Sequence, residues 1–128
     1  MSTSTGPAYS ETTVDHFRQP RNVGWLPGAN ASGTVDDPST ENIINLYLTI
    51  EDDRIVAARF RTFGCSACIA TSSMTTVLVI GKKLVEARAI DRKVISRALG
   101  GLPTSKRHCA GLAAAALKAA LASYTPSA

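Results

Sequence analysis

The sequence predicts an α+β domain in which a small three-stranded antiparallel sheet packs against helices. Apart from one short helix at the start, the segments with strand patterns come first and those with helical spacing follow after residue 65. Strands followed by helices favour an antiparallel sheet, because parallel strands need a crossover connection between them. A chain of 128 residues can bury most of its apolar surface in one domain. We expect that domain to span residues 9–125.

The first part of the chain predicts a tail and a helix. Residues 1–8 are rich in Ser, Thr, Gly and Pro and predict a flexible tail. Ser10 is a candidate N-cap for a short helix that ends at about Arg18, ahead of Pro20. His16 lies on this helix, where a lone histidine is usually a surface or capping residue.

A loop and a brief strand are predicted next. Pro20-Arg21-Asn22 and Pro27-Gly28 are typical of turns, so residues 21–32 predict a loop, with Trp25 as its anchor. Residues 33–35 predict a short edge strand. The polar residues 36–42 then predict a second loop.

The clearest strand pattern lies between residues 43 and 62. Apolar residues alternate with polar ones in the first strand, which indicates a sheet with one buried face: Ile44, Leu46, Leu48 and Ile50. Glu51-Asp52-Asp53 predicts a hairpin turn. The chain then returns over residues 54–62, and the residues expected to point inward are Val56, Ala58 and Phe60.

Four helices are predicted after the sheet. The first covers about 67–80 and ends at Gly81. Two short amphipathic helices follow at 84–89 and 91–99, the second with Asp91 as its N-cap. The last begins at His108-Cys109 and runs to about residue 124 with an apolar face.

Composition narrows the class of protein. Three cysteines, with no basic and apolar signal segment at the start, favour a reducing cytoplasm over a disulfide framework. No stretch is long and apolar enough to predict a membrane span. The formal net charge is +4, but the basic residues lie in pairs without interleaved aromatics, which argues against nucleic-acid binding: Lys82-Lys83, Arg92-Lys93 and Lys106-Arg107.

Cysteine and histidine recur at the beginnings of two predicted helices. Cys65 and Cys68 have the spacing of metal ligands at a strand-to-helix turn, and His108-Cys109 forms a compact second pair. These are ligand types that zinc and iron–sulfur iron prefer. The residues alone leave alternatives open, since a Cys-x-x-Cys is also a redox dithiol and buried cysteine is common.

Several motifs in order resemble the IscU/NifU iron–sulfur cluster scaffold family, from about residue 9 to 124. They are Tyr9 with Asp15-His16-Phe17, Pro20 to Gly24, Phe63-Gly64-Cys65, Ile69 to Ser73, Gly81-Lys82, Leu102-Pro103 and Lys106-x-His108-Cys109. The resemblance implies a SufE/NifU-like fold with a metal site at one exposed end. It also implies a scaffold, not an enzyme, on which a transient [2Fe-2S] cluster is built and then passed on.

The resemblance carries site residues and partners with it. Cys65 and Cys109 match two of the three family cysteines, His108 the histidine, and Lys106 the lysine of the Leu-Pro-Pro-Val-Lys segment. The implied partners are a cysteine desulfurase and iron–sulfur acceptor proteins. An Hsp70-type chaperone is a weaker implication, because the segment that ends at Lys106 departs from the family at two positions.

Two family ligands are replaced in this chain. Thr40 stands where the family has its first cysteine, and Asn42 where it has an aspartate. A hydroxyl and an amide are poor ligands for iron or zinc compared with a thiolate. Cys68 offers a substitute that would complete a set with Cys65, Cys109 and His108; the alternative is a thiol packed in the core.

Three functions follow from this pattern. The first is a scaffold-like protein that binds a cluster, iron or zinc through an altered ligand set. The second is a sulfur carrier in which Cys109 accepts persulfide from a desulfurase. The third is a paralogue without metal that binds the assembly machinery. The oligomeric state is left open.

Overall fold

The structure is a computed structural model that describes residues 9–126. The tail predicted for residues 1–8 lies outside this range. Within it, the regular elements follow the chain as α1 (Glu11–Arg18), β1 (Ala31–Asp37), β2 (Asn42–Glu51), β3 (Arg54–Phe63), α2 (Ser66–Val79), α3 (Leu84–Ala87), α4 (Arg92–Ala98) and α5 (Arg107–Ser123). A single 3₁₀ turn, Thr104–Lys106, leads into α5.

The three strands form one antiparallel sheet in the order β1-β2-β3. Leu46 on β2 lies opposite Gly33 on β1 and Phe60 on β3. The predicted alternation in β2 is confirmed, since all four of its inward residues are buried: Ile44, Leu46, Leu48 and Ile50. α2 and α5 cover this face of the sheet, α1 packs on α2, and α4 packs on both α2 and α5.

The inward set predicted for β3 is wrong at Val56. Ala58 and Phe60 are buried, but Val56 is 43% exposed and Ile55 is fully buried. The pairing with β2 shifts at this point, so β3 carries one extra residue in a β-bulge. A bulge reverses the inward and outward alternation locally, which explains the exchange.

The strand predicted over residues 33–35 is longer than expected. β1 begins at Ala31 and takes in Asp36 and Asp37, while Asn42 already belongs to β2. The loop predicted over 36–42 is therefore a tight turn over residues 38–41. Glu41 takes a left-handed φ of 57° in that turn.

Gly33 allows β1 and α5 to approach closely. A Cβ added here would lie 2.5 Å from the backbone oxygen of Ala116 and 2.5 Å from the backbone nitrogen of Ala120. Backbone atoms of a packed helix cannot step aside as the end of a flexible side chain can. The sheet and α5 are thus held at a separation that only glycine permits.

We expect Gly33→Ala to lower the free energy of unfolding by about 2 kcal/mol, because an overpacked core costs roughly this much. The measurement is urea denaturation. Gly111→Ala on α5 is the matched control: a Cβ there meets nothing within 4 Å, and alanine should stabilise the helix slightly. Equal stability of the Gly33 variant and the native chain would contradict the close approach.

Leu26 and the backbone, not Trp25, hold the loop between α1 and β1. The predicted anchor Trp25 is 54% exposed, whereas Leu26 is buried. The backbone of Asn22 and Gly24 pairs with both the N–H and the C=O of Phe60. This pairing also covers part of the outer edge of β3.

The surface position predicted for His16 is wrong, because the side chain is buried. Nδ1 of His16 lies 2.7 Å from Oγ of Ser73 on α2. That hydroxyl also accepts the N–H of Arg21 at 2.9 Å, and its proton and second lone pair can pair with either tautomer of His16. Burial, and next the positive charge of Arg21, lower the pKa of His16.

A histidine with a lowered pKa predicts how stability depends on pH. The unfolded chain takes up a proton near pH 6.5, whereas the folded chain keeps His16 neutral to a lower pH, so stability falls as pH drops below about 6.5. We expect His16→Gln to flatten this part of the profile between pH 7.5 and 5. Denaturation curves at several pH values measure it. Parallel profiles for variant and native chain would mean that His16 titrates alike in both states.

Within residues 9–126, none of the helices combines the length and the apolar character needed to cross a membrane.

Candidate metal centre

Cys65 lies at the junction of β3 and α2. Gly64, with φ of 155°, reverses the chain after β3, and Cys65 is then the N-cap residue of α2 with an extended backbone. The backbone N–H of Cys65 donates to Oδ1 of Asn42 at 3.0 Å. The start of the second strand thereby fixes the position of this cysteine, whose side chain is partly exposed.

Two further thiols meet Cys65 beneath the surface. Cys68 lies one turn along α2, and Cys109 lies in the first turn of α5; both are fully buried. Sγ of Cys65 is 3.5 Å from Sγ of Cys109. All three Sγ atoms lie within 4.8 Å of one another, and we call these residues the thiol group.

The spacing of the thiol group suits a single metal ion. In a tetrahedral site with metal–sulfur bonds of about 2.3 Å, the sulfur atoms lie about 3.8 Å apart. The Cys65–Cys109 separation of 3.5 Å lies near this value, and the other two are no longer than 4.8 Å. Small side-chain adjustments would therefore let one thiophilic ion touch all three.

The residues before Cys109 place positive charge and a nitrogen ligand at the same site. Nε2 of the exposed His108 lies 3.5 Å from Sγ of Cys109. Lys106, in the 3₁₀ turn, is half-buried. The mutually close ligand atoms comprise the three thiols, with His108 at their margin.

Cys109 and Cys68 differ in how readily each gives up its proton. A hydrogen bond from Cys68, assisted by Cys65 and by the charges of His108 and Lys106, lowers the pKa of Cys109 to about 6 against the opposing effect of burial. The same hydrogen bond, together with burial, raises the pKa of Cys68. The hydrogen bond between them therefore favours the thiolate at Cys109 and the protonated thiol at Cys68.

Thr40 and Asn42 form a chain of hydrogen bonds beside the thiol group. Nδ2 of the buried Asn42 donates to Oγ1 of Thr40 at 3.0 Å. Oγ1 of Thr40 in turn donates to Oδ2 of Asp37 at 2.7 Å. Both ends of the Asn42 amide are occupied, because its Oδ1 already accepts from Cys65. These two side chains act on each other and on the backbone of Cys65.

Asp37 is a residue of this site that the sequence prediction did not select. Its Oδ1 accepts from the hydroxyl of Ser39 at 2.7 Å. The hydrogen bonds from Ser39 and then Thr40, with a smaller effect of His108, lower the pKa of Asp37. An aspartate followed at two and three residues by hydroxyl side chains is a common turn pattern. That pattern is the feature of the sequence from which the position of Asp37 in a turn could have been predicted.

The predicted site residues thus divide into three groups. The fold brings Cys65, Cys68 and Cys109 together. His108 and Lys106 border Cys109. Asn42 accepts a hydrogen bond from the backbone N–H of Cys65 and donates one to Thr40.

The chain is similar in sequence to a known protein family and to several of its members. Residues 8–128 match the protein family described as NifU-like N terminal domain. The chain is 47% identical over 116 residues to "Iron-sulfur cluster assembly scaffold protein IscU 1" of Archaeoglobus fulgidus, covering 91% of this chain and 76% of that protein. It is 43% identical over 121 residues to the protein named as scaffold IscU in Escherichia coli K12, covering 91% and 94%.

Solved structures confirm the α+β fold. A protein of Fervidobacterium islandicum AW-1, described as a candidate scaffold for the SUF system of cluster assembly, has a TM-score of 0.72 at 22% identity, covering 88% of this chain and 96% of the other. The N-terminal part of a NifU-like protein from Brucella abortus has a TM-score of 0.60 at 23% identity, covering 89% and 82%. With a family match over almost the whole length and relatives above 40% identity, this chain belongs to the family of NifU-like N-terminal domains.

Proposed function

We propose that this protein is a scaffold for iron–sulfur cluster assembly, in which the thiol group holds iron or a [2Fe-2S] cluster as cargo. The observation that carries the proposal is the meeting of three thiols within 4.8 Å at the beginnings of α2 and α5. It is supported by identities of 43% and 47% to proteins named as IscU scaffolds. In this role the chain is a binding protein and not an enzyme.

The ligand set we propose is Cys65, Cys68 and Cys109, with His108 as the nearest group for a fourth position. Thr40 and Asn42 are not ligands in this scheme, since their hydrogen bonds commit them to Asp37 and to the backbone of Cys65. A lone zinc ion could take the same three thiolates.

The thiol group favours reversible binding of the metal cargo. Metal binding requires thiolates, and a buried thiol with a raised pKa resists giving up its proton. Cys68 therefore weakens the hold on the cargo relative to three thiols of ordinary pKa. Cys65, partly exposed, marks the side on which cargo would enter and leave.

The proposal is tested by the iron, zinc and acid-labile sulfide content of protein purified without oxygen. We expect the metal content per chain of Cys68→Ala to fall several-fold, whereas the matched control Ser66→Ala, exposed on the same turn, retains the native content. Metal unchanged in Cys68→Ala would return Cys68 to a packing role. Metal-free native protein would contradict the scaffold proposal and favour a paralogue that only binds the assembly machinery.

The lowered pKa of Cys109 favours a second candidate, a sulfur carrier for a cysteine desulfurase. The Cys109 thiolate attacks the terminal sulfur of the desulfurase persulfide, the S–S bond of that persulfide breaks, and the desulfurase cysteine leaves as a thiolate while Cys109 carries the persulfide. Mass spectrometry after treatment with a desulfurase and cysteine would then show one added sulfur on apo protein. Cys109→Ser should lose that sulfur, whereas Cys68→Ala should accept it more slowly, because it lacks the hydrogen bond that lowers the pKa of Cys109.

A further inference from the structure

Four exposed cations converge on one cleft beside the thiol group. The cleft has a volume of about 380 Å³ and lies between α4 and the start of α5. Its lining consists of Arg92, Lys93, Ser96, Arg97, Arg107 and Ala110. We call it the basic cleft. In the sequence these cations are a pair, Arg92-Lys93, and the separate residues Arg97 and Arg107, and the packing of α4 on α5 brings them together.

The four cations of the basic cleft outnumber the carboxylates beside them. Neither α4 nor α5 contains an acidic residue. Asp91, directly before α4, caps the helix by accepting the N–H of Val94 at 3.0 Å, and its carboxylate also interacts with the charge of Lys93. Within residues 9–126 the single salt bridge joins Arg21 to Asp15, remote in sequence from this cleft. An excess of positive charge gathered in a concave surface favours an anionic occupant.

The cleft and the thiol group share the first turn of α5. Arg107 directly precedes His108-Cys109, and Ala110 directly follows. An occupant of the basic cleft would therefore lie within about one helical turn, 5.4 Å along the axis, of Cys109. A partner that docks there contacts the same turn of α5 that carries Cys109.

The lining distinguishes between classes of anion. No aromatic side chain contributes to it, so a nucleobase would lack the stacking surface that single-stranded nucleic acids use. Guanidinium groups, by contrast, match carboxylates through paired hydrogen bonds. We propose that the basic cleft docks an acidic segment of a protein that exchanges cargo with the thiol group. The exchange rests on the proposed function, whereas the docking does not.

The test is fluorescence anisotropy of a labelled ten-residue peptide of alternating Glu and Gly, with the Gln and Gly peptide as its neutral control. Lys93→Glu with Arg97→Glu reverses two exposed charges of the cleft. Lys82→Glu with Lys118→Glu makes the same change in net charge elsewhere. We expect the first pair to weaken the Kd of the acidic peptide by at least about tenfold and the second by less than about twofold.

Two results would overturn the proposal. Equal weakening by both pairs of substitutions would mean that net charge alone attracts the peptide. Displacement of the peptide by a ten-nucleotide oligothymidine at a lower concentration than by unlabelled peptide would assign the cleft to nucleic acid instead. All titrations use metal-free full-length protein, and circular dichroism checks the fold of each variant. Peptide binding by a Cys109→Ser chain that holds no metal separates failure of docking from failure of the scaffold role.

Discussion

Gly64→Ala is expected to lower the free energy of unfolding by about 3 kcal/mol or more and to impair metal binding as well. A Cβ at this position would overlap Oδ1 of Asn42, and the backbone of Gly64 is in a region that L side chains rarely adopt. Backbone strain and steric overlap each cost about 1–3 kcal/mol. Displacing Asn42 would also release the N–H of Cys65 that its Oδ1 accepts.

Gly81→Ala separates the cost of backbone strain from the cost of steric overlap. Gly81 also has a positive φ, of 88°, but a Cβ there meets nothing within 4 Å. Urea denaturation of both variants, with metal content measured in parallel, should show a smaller stability loss and native metal content for Gly81→Ala. Equal losses in the two variants would mean that Asn42 does not hold the turn before Cys65.

Cys109→Ser is expected to weaken metal binding at least about 100-fold, because even changes to groups that only support a ligand cost 10- to 100-fold. Sγ of Cys109 lies 3.5 Å from both Sγ of Cys65 and Nε2 of His108, and Cys109 has the lowered pKa. Competition with a chromophoric chelator measures the affinity. Cys109→Ala should behave alike, which would separate the lost thiolate from the new hydroxyl.

A thermal melt of the metal-free variants shows whether the core survives. We expect both Cys109 variants to fold like the native chain and to bind little metal. Affinity within about threefold of the native chain, with folding intact, would remove Cys109 from the ligand set.

Local signals predicted the regular elements well. Alternation predicted the buried face of β2, and Ser10 and Asp91 cap α1 and α4 as their sequence positions suggested. These features depend on residues within a few positions of each other. The side-chain period of a strand and the capping hydrogen bond of a helix can therefore be predicted from a short stretch of sequence.

The errors arose where distant residues decide the outcome. Val56 points outward because the pairing with β2 places a bulge there. His16 is buried because Ser73, 57 residues later, supplies a hydrogen-bonding partner. Leu26 displaced Trp25 as the anchor because the adjoining backbone pairs with Phe60. None of these partners is adjacent in sequence, so a local pattern could not identify them.

The candidate site shows the same division. The spacing of Cys65 and Cys68 placed both at the beginning of one helix, but their approach to Cys109 depends on how α2 packs against α5. The link from Asn42 through Thr40 to Asp37 requires the turn over residues 38–41. The sequence therefore predicted which thiols belong to the site, whereas the geometry of their polar surroundings depends on the fold.

The most direct test of the altered ligand set is X-ray absorption at the edge of the bound metal, compared between native protein and Cys68→Ala. It counts the sulfur atoms that surround the ion. We predict that native protein has more sulfur around the metal than the variant, by one sulfur for a single bound ion and by an average of about half a sulfur per iron for a [2Fe-2S] cluster. The same sulfur count in both would contradict Cys68 as a ligand and leave Cys65 and Cys109 as the only thiolates of the site.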